Sequence, residues 1–215
     1  MKYIAILDYL RLDNGMFMKS FSEAMGRQSG CSGIIIHGDS GYTERLIQTG
    51  IMREDAILRS TRDLNHRIVA LLADSGVSGI GVNGYQKKIV RLTGRDILVD
   101  RDWLEVRPPG THIILSNLAW DDAHQKAAPV PLPVLADALS TQLNRQTVII
   151  FSLNDSGDPV IFKKNSGHDS NSNSKQELLE LVPDDLRPLP KNCYLGTTEA
   201  FGNLPDKSGL RHFSS

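Results

Sequence analysis

Gly38-Asp39-Ser40-Gly41 concentrates more potential chemistry than any other block of the sequence. It follows the apolar run Ile34-Ile35-Ile36 and precedes the polar stretch from Tyr42 to Thr49. A strand feeding through such a turn into a helix places backbone N–H groups and the positive end of the helix dipole where an anion can sit. The same glycines would also serve a plain tight turn. Asp39 sets a condition on the anion reading. Two unit charges ~4 Å apart at an effective dielectric near 20 repel by about 4 kcal/mol, so its carboxylate must turn away from a bound phosphate or be neutralised. Ser40 is a candidate nucleophile, with the late His212 as its base, because triads are assembled by geometry and not by chain order. Asp121, Asp122 and His124 carry metal-ligand chemistry, yet acids beside a histidine in a loop also form solvated clusters, and no metal site is assigned. No catalytic residue is assigned.

These groups need elements to position them. Tyr3 to Leu7 reads as a buried strand, Met16 to Met25 as a helix ended by Gly26, and Ile34 to Ile36 as a second strand. Tyr42 to Thr49 is a helix stopped by Gly50. In Asp63 to Ser75, Leu64, Ile68, Leu71 and Leu72 fall at i, i+4, i+7 and i+8, the clearest helical face in the chain, with Gly76 at its end. Ile80 to Val82 is a strand, and Lys88 to Leu92 with Asp96 to Val99 flank Thr93-Gly94-Arg95 as a hairpin. His112 to Leu115, a helix through Leu132, Leu135, Leu139 and Leu143, and a strand Val148 to Phe151 complete a βαβα alternation. That order implies an α/β fold with a mostly parallel sheet, helices on both faces, and ligands at the carboxyl ends of the strands. Residues 1–164 read as one α/β domain, the polar residues 165–174 as a flexible loop, and residues 175–215 as a C-terminal extension: Lys175 to Leu181 as a helix, then Pro183 to Ser215, punctuated by prolines, wrapping the domain or lying loose.

Composition removes several classes. The chain has 215 residues, and 24 basic against 25 acidic side chains leave a net charge of −1, so nothing attracts it in bulk to nucleic acid or to an anionic membrane. No apolar run has the length of a membrane span. Cys31 and Cys193 are far apart, which fits a reducing compartment and gives no zinc framework. The opening Met1-Lys2-Tyr3-Ile4-Ala5-Ile6-Leu7 is interrupted by Asp8 and Arg11 and lacks a cleavage site, so a cytoplasmic protein is expected.

One ordered series goes further. Ile34-Ile35-Ile36-His37-Gly38-Asp39-Ser40-Gly41, Leu58-Arg59-Ser60-Thr61, Asn65-His66-Arg67-Ile68-Val69-Ala70-Leu71-Leu72 and Gly81-Val82-Asn83-Gly84 follow one another through residues 33 to 90. In order and spacing they resemble the amino acid kinase family, specifically its acetylglutamate kinase branch. The resemblance implies a three-layer αβα sandwich and a homodimer, with an N-acylated amino acid held by the N-terminal half and ATP with magnesium by the C-terminal half. Carried over by position, Gly38, Asp39, Ser40 and Gly41 would form the substrate and phosphoryl loop. Arg59 would pair with the substrate carboxylate, a task its planar fork suits. Asn83 and Gly84 would line the same pocket. Outside a ligand role, Arg59 would be a solvated loop cation, Asn83-Gly84 a turn, and His37 a partner for nearby backbone.

The same family implies a lysine and two glycines at the end of the first strand, where this chain has Ile6-Leu7-Asp8-Tyr9. It implies Asn-Ala-Asp ahead of the Leu135 helix, where Pro131-Leu132-Pro133 stands. The interval between Arg59 and Asn65 is about a dozen residues shorter than the resemblance implies. Phosphoryl transfer rests on positioning and on cations that steady the phosphate oxygens. The expectation is therefore an amino-acid-kinase-like protein that binds a small carboxylate, such as an N-acyl amino acid, with phosphoryl transfer reduced or lost. One alternative is an active ATP-dependent N-acyl-amino-acid kinase that recruits Lys87, Lys88, Lys163 or Lys164. Another is a serine hydrolase using Ser40, through a partial resemblance to the lipase-like family that pairs a Gly-Asp-Ser block with a later block, here Ser152-Leu153-Asn154-Asp155, and with His212.

Overall fold

The computed structural model describes residues 1–106, 108–145, 147–151 and 182–214. Ser152 to Asp155, Lys163 and Lys164, the polar stretch 165–174 and the expected helix before residue 182 lie outside the described residues. The chain runs β1 (Lys2–Leu7), α1 (Tyr9–Leu12), α2 (Gly15–Arg27), β2 (Ser32–His37), α3 (Tyr42–Gln48), α4 (Arg53–Asp74) and β3 (Gly79–Asn83). It continues through β4 (Val90–Thr93), β5 (Asp96–Val99), α5 (Arg101–Glu105), β6 (His112–Ser116), β7 (Leu118–Asp121), β8 (Lys126–Pro129) and α6 (Leu132–Gln142). After β9 (Val148–Phe151) come β10 (Asn192–Gly196), α7 (Thr198–Gly202) and β11 (Arg211–Ser214).

Seven strands form the main sheet in the order β11-β10-β9-β1-β2-β6-β3, and all neighbours are parallel except β10 with β11. The central strands are buried on both faces, so each reads as a continuous apolar run whose alternate residues feed two separate cores. Ile4, Ile6, Ile34, Ile36, Ile113, Leu115, Val148 and Ile150 pack with α6, α5 and the second sheet. Tyr3, Ala5, Leu7, Ile35, Ile114, Ile149 and Phe151 pack with α2, α4 and α7. The result is a three-layer αβα sandwich, as the family resemblance implies. A second, four-stranded sheet, β5-β4-β7-β8, grows directly from the end of β6. On the other face, Phe21 stacks on Phe201, with ring centroids 5.4 Å apart, and Phe151 meets both edge-on.

Two expectations change. The stretch after residue 183 supplies β10 and β11, so it completes the far side of the main sheet instead of wrapping or lying loose. Its strand signal is short: Cys193 and Leu195 face one core while Tyr194 faces the other, in five residues hemmed by turns. The helix expected from Asp63 begins ten residues earlier, at Arg53. Nothing between Arg53 and Asp74 breaks a helix, Glu54 and Asp55 suit its first turn, and Ala56 and Ser60 extend its buried stripe. Its start was hidden because Met52 stands at the cap position and offers no acceptor.

At the amino end of the sheet a buried cation locks the strands. Arg145 is 2% exposed; its Nη2 and Nε donate to Glu105 Oε1 at 2.9 and 3.3 Å, and Nη1 donates to the Tyr3 carbonyl at 3.4 Å. Lys2 pairs with the same carboxylate. Partial burial pulls the Glu105 carboxyl upward, but hydrogen bonds from Lys2 and Arg145 outweigh it and hold the group below its ordinary value. Its stabilisation is therefore present at neutral pH and lost as pH falls through the folded-state value. Glu105→Ala would leave Arg145 buried and unpaired, so we expect a loss of about 3 kcal/mol in urea unfolding at pH 7.

Candidate functional site

The carboxyl ends of β1, β2, β6 and β3 finish in one rung: Leu7 pairs with His37, His37 with Ser116, and Ser116 with Asn83. The residues just before them, Ile36, Leu115 and Val82, enter the core on the α6 side, so alternation turns His37, Ser116 and Asn83 toward α4. From α4, Asn65 meets them. Its Nδ2 lies 2.9 Å from His37 Nε2, 2.9 Å from the Ile114 carbonyl and 3.3 Å from the Val82 carbonyl, two hydrogens facing three acceptors. Gly81 makes this approach possible: a Cβ there would lie 2.4 Å from Asn65 Oδ1.

His37 Nδ1 sits 2.9 Å from the Gly38 carbonyl. Since a carbonyl only accepts, Nδ1 carries the proton and Nε2 receives Asn65. Complete burial pushes the His37 imidazole down to about 4. The rung is thus electrically neutral. It is also unsatisfied: Asn65 Oδ1, Asn83 Oδ1, Ser116 Oγ and, one turn up α4, Thr61 Oγ1 are buried without a hydrogen-bond partner among the described residues. Buried polar atoms are paired in the great majority of cases, so this cluster at the carboxyl edge of a parallel sheet is the candidate site.

Asn83 alone among the sequence-derived site residues belongs to this cluster. Gly84 serves packing, since a Cβ on it would lie 2.6 Å from the Leu118 carbonyl and 2.8 Å from Val90. Gly38 faces Asn117 and Leu132. Asp39 is half-buried, and Ser40 Oγ lies 3.4 Å from the Tyr42 N–H, a local turn contact. The Gly41 N–H, offered by sequence to an anion, donates to Asp13 Oδ2 at 2.7 Å, so the protein's own carboxylate occupies that point. Arg59, expected in a loop, lies on α4 and is exposed. Ser40 and His212 cannot form a dyad. His212 is in β11, four strand spacings from β2, or about 19 Å, and its ring packs on Tyr194.

The end of β1 carries charge of a different kind. Asp8 caps α1, accepting from the Leu10 and Arg11 N–H groups at 3.1 and 3.3 Å, and pairs with Arg11. Both side chains are buried. Desolvation raises the Asp8 carboxyl against the pull of Arg11, and the Asp185 charge adds to the rise; burial lowers Arg11 in turn. Where the family resemblance implies an acid, Pro131 stands at the N-cap of α6, and Leu132 and Pro133 are buried. In the second sheet Asp122 accepts from Arg91 and Thr93, while Asp121 pairs with the His124 ring at 2.7 Å. Lys88 lies over the Trp120 ring, 5.4 Å from its centroid.

Asn65, Thr61 and Ser116 were not singled out from sequence as site residues. The available signal was polarity on an apolar stripe: Thr61 and Asn65 are one turn apart and share the face of Leu64 and Ile68. Arg11 and Asp13 gave no comparable signal, because their partners are fixed only by the turns after β1 and β2.

Neither a family model nor a curated protein sequence matches the chain. Solved structures share its fold. Isopentenyl phosphate kinase superposes with a TM-score of 0.59 at 15% identity, covering 94% of each chain. Aspartate kinase from Synechocystis gives 0.59 at 13% identity over 71% of this chain and 28% of its own length. N-acetylglutamate synthase from Neisseria gonorrhoeae, complexed with coenzyme A and N-acetyl-glutamate, gives 0.57 at 17% identity over 95% of this chain and 56% of that one. The likeness at these identities is one of fold.

The neutral, buried His37 has a measurable consequence. Because its folded value of about 4 lies below the ordinary 6.5, the unfolded chain binds the proton first, and stability falls as pH drops between those values. Imidazole proton resonances should show one of the six histidines still neutral at pH 5. Titration of every histidine near 6.5 would contradict the buried arrangement with Asn65.

Proposed function

We propose that this protein binds a small carboxylate of the N-acyl amino acid kind against the polar rung, and that phosphoryl transfer is reduced or lost. The observation that carries the reading is the unpaired set Asn65 Oδ1, Asn83 Oδ1, Ser116 Oγ and Thr61 Oγ1. Amide oxygens accept only, so they call for an N–H such as that of an acylamino group, while the hydroxyls can donate to acyl or carboxylate oxygens. The likeness in fold to a synthase complexed with N-acetyl-glutamate agrees with that choice.

Three features speak against transfer. The charge at the end of β1 is an aspartate neutralised by its own arginine. Asp13 takes the Gly41 N–H. Leu132, an apolar side chain, faces Gly38. A migrating phosphoryl group needs uncompensated cations and free N–H donors, and each missing donor of this kind can cost roughly 10²–10³ in rate.

Calorimetry with N-acetylglutamate should give saturable binding to the full chain, weakened about tenfold, or about 1.4 kcal/mol, by Asn83→Ala. ATP added to the complex should yield no ADP above background. Absence of heat with every N-acyl amino acid tried would remove the ligand, and steady ADP release dependent on the acyl amino acid would remove the loss of transfer.

A further inference from the structure

A groove of about 510 Å³ opens between α2, α3 and α4, away from the polar rung. That volume is within the range of small-molecule sites. Its floor is apolar: Met18 from α2 and Leu64, Ile68 and Leu71 from α4 line it. Four charged side chains stand around this floor, and their chemistry selects the occupant.

Arg45 on α3 and Arg67 on α4 both line the groove and are exposed. Neither makes an ion pair among the described residues, whereas Arg11, Arg53, Arg91 and Arg145 all do. The Arg45 guanidinium lies over the Tyr42 ring, 5.5 Å from its centroid. The two acids are less available. Asp13 is held by the Gly41 N–H at 2.7 Å. Asp74 is the last residue of α4, seven residues beyond Arg67 and hence about 10 Å along the helix axis. Cationic groups outside any ion pair among the described residues therefore stand beside an apolar floor, with one acid already bonded and the other at the far end.

We infer that this groove binds an amphiphilic carboxylate: its head group meets Arg45 and Arg67, and its hydrocarbon chain lies on Met18, Leu64, Ile68 and Leu71. A guanidinium offers paired N–H groups that match the two oxygens of a carboxylate, and the chain covers half-buried Leu71 and the small exposed edges of Met18 and Leu64. This site is separate from the polar rung and does not rest on the function proposed for it.

Octanoate titrated into the full chain tests the inference, with octylamine and octanol as head-group controls. Saturable binding of one octanoate is expected, with octanol and octylamine weaker. The double variant Arg45→Ala/Arg67→Ala should bind octanoate at least tenfold more weakly while its melting temperature stays that of the parent. Because both side chains are exposed, an unchanged melt separates lost binding from lost fold. Tighter binding of octylamine would show that the acids govern the groove. That result, octanoate affinity indifferent to the double variant, or no saturable octanoate binding would overturn the inference.

Discussion

Asp8 and Arg11 form an ion pair with side chains 0% and 1% exposed, and what the carboxyl edge of the sheet can do depends on it. Removing two ions from water costs several kcal/mol each, and close contact with additional hydrogen bonds must offset this. Asp8 obtains such bonds from the first N–H groups of α1, so the carboxylate that pairs with Arg11 also caps the helix that carries Arg11. Burial acts on both members in the direction of neutrality, and each keeps the other charged. The arrangement is closed on itself. Arg11 Nε and Nη2 find no partner among the described residues, yet the positive charge is already balanced and is not free to steady another anion.

The two halves of the edge therefore differ in kind. At β1 the groups are ionic and mutually neutralised; at β6 and β3 they are uncharged and leave hydrogen-bonding capacity open. Catalysis of phosphoryl transfer relies on preorganised charge, whereas recognition of a polar metabolite can rest on directional hydrogen bonds of about 1 kcal/mol each. The neutral imidazole of His37 belongs to the second pattern. It contributes no charge and spends both nitrogens on Gly38 and Asn65, which fixes the amide of Asn65 and leaves its oxygen unpaired.

The architecture was legible because the central strands are apolar on both faces and α3 and α4 end at glycines, although Gly26, read as a stop, lies inside α2. Gly50, Gly76 and Gly94 all adopt the positive φ that their sequence positions implied. Element ends that depend on caps were less legible, as the start of α4 at Met52 shows. The polar rung was partly legible. Asn83 stood out beside a glycine, but Ser116 and Asn65 acquire meaning only when register aligns β2, β6 and β3 and helix α4 crosses them. Arg59 misled for the opposite reason: its residue type suits a carboxylate, yet the unbroken helix places it outward. Residue type proposes chemistry, and helix phase decides whether that chemistry faces a site.

Helix phase also explains how one element serves two surfaces. On α4, Thr61 and Asn65 belong to the rung, while Leu64, Arg67, Ile68 and Leu71 line the groove. Positions three and four apart are neighbours on a helix, so these sets are adjacent along its length and share the packing of Leu64 and Ile68. Asp13 joins the same two regions from the other side, since it lines the groove and holds the Gly41 N–H of the loop after β2.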